Sequence, residues 1–104
     1  MIPEVLAFSL LLTQQLPGAT QRNQFTSCLR SFMSSKLEER MTPANFQTAL
    51  AGACREQEAA YRTAYVEAAV RAGDRRALAE QDANTEVQDL RSNYLELFRG
   101  AQPE

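Results

Sequence analysis

Cys28 and Cys54 are the residues of this chain whose type and placement point most directly to covalent chemistry, and they are its two cysteines. They lie at equal distance on either side of Met41. Thr42-Pro43, immediately after it, is a strong helix-start signal: a Thr N-cap followed by a Pro that fits the first helical position. In an antiparallel helical hairpin folded about Met41, residues equidistant from the turn face each other, so the two thiols meet at one seam. A structural disulfide is the expected product. The bland alternative is a pair of buried thiols acting as small apolar residues. A catalytic redox pair is a poorer fit, because such pairs are usually local, as in CxxC, and no such spacing occurs here.

Few other reactive constellations are available. The chain has no His and no Trp. It therefore lacks the side chain that titrates nearest neutral pH and the commonest transition-metal ligand. No His-based triad can be built, and two cysteines do not complete a four-ligand structural zinc site. The carboxylates Glu56, Glu58, Glu67, Glu80, Asp82, Glu86, Asp89 and Glu96 have no ExxH partners of the kind that bundle di-metal sites use. They read as solvated helix faces, with Glu58–Arg62 and Glu67–Arg71 as i,i+4 pairs. No phosphate-cradling GxxxxGK[ST] or GxGxxG motif and no EF-hand loop is present. These absences point to a protein that is not an enzyme and holds neither cofactor nor metal.

The formal net charge is −2. The cations are dispersed among acids and form no basic stripe, which argues against nucleic acid as a partner. Tyr61 and Tyr65, one helical turn apart, offer either a stacking face or the edge of a core. With Val66, Val70 and Leu78 they form the candidate partner-binding surface, at a stretch rich in Ala. Gln57 falls near the seam and reads as a polar side chain bonding a neighbouring helix.

The elements that must position these residues are helical throughout. Apolar residues after Thr20 recur at spacings of three and four, and no alternating strand pattern appears. A first helix is expected over about 21–40, carrying Phe25, Cys28, Leu29, Phe32, Met33 and Leu37 on one face. A second is expected from Thr42 without interruption to Gly73, carrying Phe46, Leu50, Cys54, Tyr61 and Tyr65. Met41 and Phe46 are placed as a hydrophobic staple across its start. A third should begin with Asp74 as N-cap and run to Gly100, with Leu78, Val87, Leu90, Tyr94, Leu97 and Phe98 as its stripe. Folding about both turns yields layers Phe32–Leu50–Leu97 and Cys28–Cys54–Tyr94. The expected fold is all-α: an antiparallel hairpin extended to a three-helix bundle, stapled by an inter-helix disulfide. It becomes four helices if the N-terminal apolar segment is retained.

That segment bears on compartment. Residues 1–20 contain the apolar run Val5–Leu12, of signal-peptide length and too short to span a membrane. Pro17-Gly18-Ala19 follows as a cleavage region would, although Glu4 replaces the usual basic flank. The competing reading is a core helix over residues 3–16, started by Pro3 and ended at Pro17-Gly18. Residues 21–100 then form the bundle domain and 101–104 a frayed tail. Paired cysteines favour an oxidising compartment. The resulting expectation is a periplasmic or secreted binding protein, with a protein partner, self-association or the envelope surface as target. Any membrane contact would run through the N-terminal segment. The alternative is a cytoplasmic structural or assembly subunit.

Overall fold

A computed structural model of the chain describes residues 18–102; the signal peptide or core helix expected before residue 18 and the end of the frayed tail, residues 103–104, lie outside them. Four helices follow in order: α1 (Ala19–Glu38), α2 (Pro43–Leu50), α3 (Arg55–Arg71) and α4 (Arg76–Gly100). There is no strand among the described residues. Helix α4 is the backbone of the assembly, since α1, α2 and α3 all pack on it, and α1 also packs on α3.

Local chemistry explains most of the boundaries. Helix α1 ends by turning Arg40 into the left-handed region at φ 57°. The amides of Arg40 and Met41 then donate to the carbonyls of Leu37 (3.0 Å) and Lys36 (3.1 Å), a Schellman cap. A non-glycine residue in that conformation costs about 1 kcal/mol. Thr42 caps α2 as the sequence requires: its Oγ1 accepts from the Asn45 amide at 3.2 Å. Met41 and Phe46 both join the core, which completes the staple.

Helix α3 also ends in a Schellman cap. Gly73, at φ 110°, donates to Val70 O, and the Asp74 amide donates to Ala69 O, both at 3.0 Å. Asp74 is therefore not the N-cap of the last helix. Its backbone is committed to terminating α3, so α4 starts two residues later, with Arg75 as an extended N-cap.

The largest departure from the sequence reading lies between α2 and α3. The uninterrupted helix expected over 42–73 is broken at residues 51–54. The amides of Gly52 and Ala53 make short i→i+3 bonds to Ala49 and Leu50. Cys54 then turns left-handed at φ 60°, ψ 37°, and becomes the N-cap of α3. This elbow changes the register against α4. Phe46, not Leu50, is the partner of the final turn, and it stacks on Phe98 at 3.9 Å with ring planes 2° apart. Leu97, expected inside, is 48 % exposed, whereas Phe98 is fully buried. The buried stripe of α4 is Ala79, Ala83, Val87, Leu90, Tyr94 and Phe98, at spacings of three and four.

Two clusters result. The larger contains Phe25, Leu29, Phe46, Leu50, Tyr61, Val87, Leu90, Tyr94 and Phe98. The smaller, at the far end of the α3–α4 pair, contains Val66, Ala69, Ala79 and Ala83.

Candidate functional site

The disulfide forms as expected. Cys28 on α1 is joined to Cys54 at the elbow, with Cα atoms 6.0 Å apart. The bond thus ties α1 to the junction of α2 and α3, and both cysteines are half-buried.

Beside it lies a polar network that the sequence reading missed. Helix α2 ends at the elbow, so its last carbonyls lose their helical partners. Arg91 of α4 supplies replacements. Its Nη1 donates to Leu50 O at 2.6 Å and its Nη2 to Ala53 O at 2.8 Å. Nε and Nη2 both donate to Glu58 Oε1, at 3.0 and 2.6 Å. The guanidinium also lies 5.2 Å from the Phe25 ring centroid. Glu58 Oε2 accepts from Arg62 Nε at 2.9 Å, and Arg62 Nη2 donates to Asn84 Oδ1 at 3.1 Å. Glu58–Arg62 is thus part of a chain linking α2, α3 and α4, not an isolated surface pair. The available signal was Arg91 itself, a cation spaced four residues from Val87 and three from Tyr94, at the margin of an apolar stripe.

Burial pushes the Glu58 carboxyl up. The hydrogen bonds and charges of Arg91 and Arg62 outweigh that and hold it below the usual carboxylate range. It is an anchored anion, the opposite of what a general acid at neutral pH needs.

The candidate binding residues do not share one surface. Tyr61 is 1 % exposed, its ring 6.3 Å from that of Phe25, and it belongs to the large core. Val66 belongs to the small one. This corrects the reading of Tyr61 and Val66 as partner-binding residues: α1 covers the first, and the Ala face of α4 covers the second. Tyr65 and Val70 are half-buried against the small cluster, and Tyr65 meets Tyr61 edge-on at 6.1 Å. Leu78 is 49 % exposed in the first turn of α4. It lines a shallow depression with Gly73, Asp74, Arg75, Ala77 and Gln81.

Desolvation raises the pKa of Tyr65, and the charges of Asp82, Glu86 and Asp74 raise it further. Burial also raises Tyr61; Glu86 adds to this and Arg22 opposes it. Both phenols are neutral at ordinary pH, so neither is poised as a base.

Two clefts remain. One, of about 360 Å³, lies between α3 and α4 and is lined by Arg62, Thr63, Val66, Glu67, Arg76, Glu80 and Ala83. The other is a polar notch between α1 and α3, where Gln57 faces Thr20, Asn23, Gln24 and Ser27. The first sets the Thr63 hydroxyl among the charges of Glu67, Glu80, Arg62 and Arg76, and the second is lined by neutral polar side chains. Among the described residues no group of three His, Cys, Asp or Glu side chains is placed to hold a metal, and no helix is long and apolar enough to cross a membrane. No protein-family model, curated protein or solved structure matches this chain.

Proposed function

We propose that this chain is a small exported helical protein, periplasmic or secreted, that acts by binding and carries out no catalysis. The observation that carries the reading is the Cys28–Cys54 bond, which is durable in an oxidising compartment and not in a reducing one. It closes the loop that contains α2 and stabilises the folded chain by about 3 kcal/mol. The contact surface of this reading is the α3–α4 tip, reduced to Tyr65, Val70 and Leu78 now that Tyr61 and Val66 are core residues. Its target is a protein or the envelope surface.

Intact mass of the protein made in a Gram-negative host, with thiol alkylation before and after reduction, tests the compartment. The expected result is a chain lacking residues 1–19 whose cysteines alkylate only after reduction. A full-length mass with freely alkylating thiols overturns it. Leu78→Asp, in turn, should abolish capture of the partner while leaving the melting temperature unchanged.

A second reading has one observation in its favour. A Cβ on Gly18 would lie 3.3 Å from Tyr61 Cδ1 and 3.4 Å from the Ala64 Cβ, so the chain enters α1 pressed against α3. Residues 3–16 would then arrive beside the tip and complete its core as a further helix, making the protein a non-exported assembly subunit. Loss of cooperative melting on deleting residues 1–17 supports this reading; retained melting supports export.

A further inference from the structure

We propose that the disulfide is a conformational latch: it holds the α2–α3 elbow bent, and its reduction lets α2 and α3 fuse into one helix across residues 43–71. The backbone places its strained residue at the crosslink. Residues 51–54 are Ala-Gly-Ala-Cys, with no proline and a single glycine. Gly52 could adopt a left-handed conformation without steric cost, and a Cβ there would meet nothing within 4 Å. Yet the left-handed residue is Cys54, the crosslinked one. The apolar face also continues through the break at helical spacing, as Phe46, Leu50, Cys54, Tyr61 and Tyr65. Local sequence thus favours continuity, and the bend falls on the residue tied to α1.

The fused helix satisfies its own backbone. Leu50 O would accept from the Cys54 amide and Ala53 O from the Gln57 amide. Those two carbonyls are the ones Arg91 now serves, so the guanidinium would keep Glu58 alone. Straightening carries α2 away from α4, separating Phe46 from Phe98 and uncovering the apolar face formed by Phe32, Tyr94 and Phe98. The bent state keeps those aromatic contacts, and the crosslink tips the balance towards it.

The step needs a dithiol reductant. One thiolate attacks a sulfur of the Cys28–Cys54 bond, and the second resolves the mixed disulfide. Cys28 and Cys54 are left as thiols, and the reductant leaves as its own disulfide, two electrons and two protons having been transferred. Both cysteines are half-buried, so neither is sealed inside the core.

Amide hydrogen exchange and backbone chemical shifts of the full chain, oxidised and in excess dithiothreitol, test the proposal. On reduction the amides of residues 54–57, now at the head of α3, should exchange at least about tenfold more slowly, and the shifts of residues 51–54 should become helical. Unchanged exchange at those amides overturns the proposal, and so does a reduced chain that no longer melts cooperatively. Two crosslink-free variants separate the latch from general loosening. C28A/C54G should keep the exchange pattern of the oxidised protein, because glycine tolerates the left-handed turn, whereas C28A/C54A should show that of the reduced one. Identical patterns in the two variants overturn the proposal.

Discussion

The two ends of the α3–α4 pair solve the same packing problem with different materials. At the elbow end, α1 and α2 supply large side chains, and Phe25, Leu29, Phe46 and Phe98 are fully buried. At the tip, two helices close on each other through Val66, Ala69, Ala79 and Ala83. The aromatic end bends the chain to bring Phe46 onto Phe98. At that bend sit a left-handed, crosslinked cysteine and an arginine that donates to the carbonyls there. The tip needs only a glycine-centred cap, because small residues let straight helices approach without special backbone. Rich packing and unusual backbone therefore occur together, and the plain end of the molecule is the thin one.

Truncation is the strongest way to test that contrast. Phe98→Ala removes a fully buried ring stacked on Phe46 and should cost about 3–5 kcal/mol in urea unfolding. A loss below that of Val66→Ala would break the comparison. Next comes Arg91→Ala, expected to cost about 2 kcal/mol by removing the donor to Ala53 O, one of the two donors to Leu50 O, and the partner of Glu58. Arg91→Lys should recover little of this, since an ammonium cannot reproduce the fork. At the tip, Val66→Ala should cost only about 1 kcal/mol, because the cluster is small and its neighbours are already short. Arg40→Gly should stabilise by roughly 0.5 kcal/mol: it relieves a left-handed residue, offset by the freedom glycine adds to the unfolded chain.

The subtlest expected difference lies in pH dependence. Glu58 has a lowered pKa, so the folded chain binds its proton less readily than the unfolded chain does. Its contribution is present above the ordinary carboxylate pKa and is lost as pH falls through the folded value. Glu58→Gln should flatten the stability profile below about pH 4.5. Tyr65 has a raised pKa, so its neutral form is favoured in the folded chain. Stability is intact below about pH 10 and falls as pH rises beyond it; Tyr65→Phe should lessen that fall, and Tyr61, whose pKa is also raised, accounts for the rest. Acid thus acts at the elbow, whereas alkali acts on both clusters, because Tyr61 in the large one has a raised pKa as well.

Much of this architecture was legible in the residues. Spacings of three and four identified the helices, Thr42-Pro43 the start of α2, Gly73 the end of α3, and the symmetry about Met41 the pairing of Cys28 with Cys54. The helix signals are local, and the pairing follows from a turn placed midway between the two cysteines, so a linear chain carries them. The choice of Phe98 over Leu97 was not legible, because both satisfy the same stripe and only the partner helix decides between them. Nor was the burial of Tyr61 and Val66, which depends on how far α1 reaches along α3.

The sequence by itself determined that the chain is helical, where most helices begin and end, and that its two cysteines face each other. Tertiary structure alone decided that the second helix breaks at Cys54, that Arg91 serves the break, and which aromatic ring fills the core. The physical reason is range. Periodicity and capping act over one or two turns. At the elbow the chain meets a crosslink from α1 and a guanidinium from α4, which no local preference of residues 51–54 encodes.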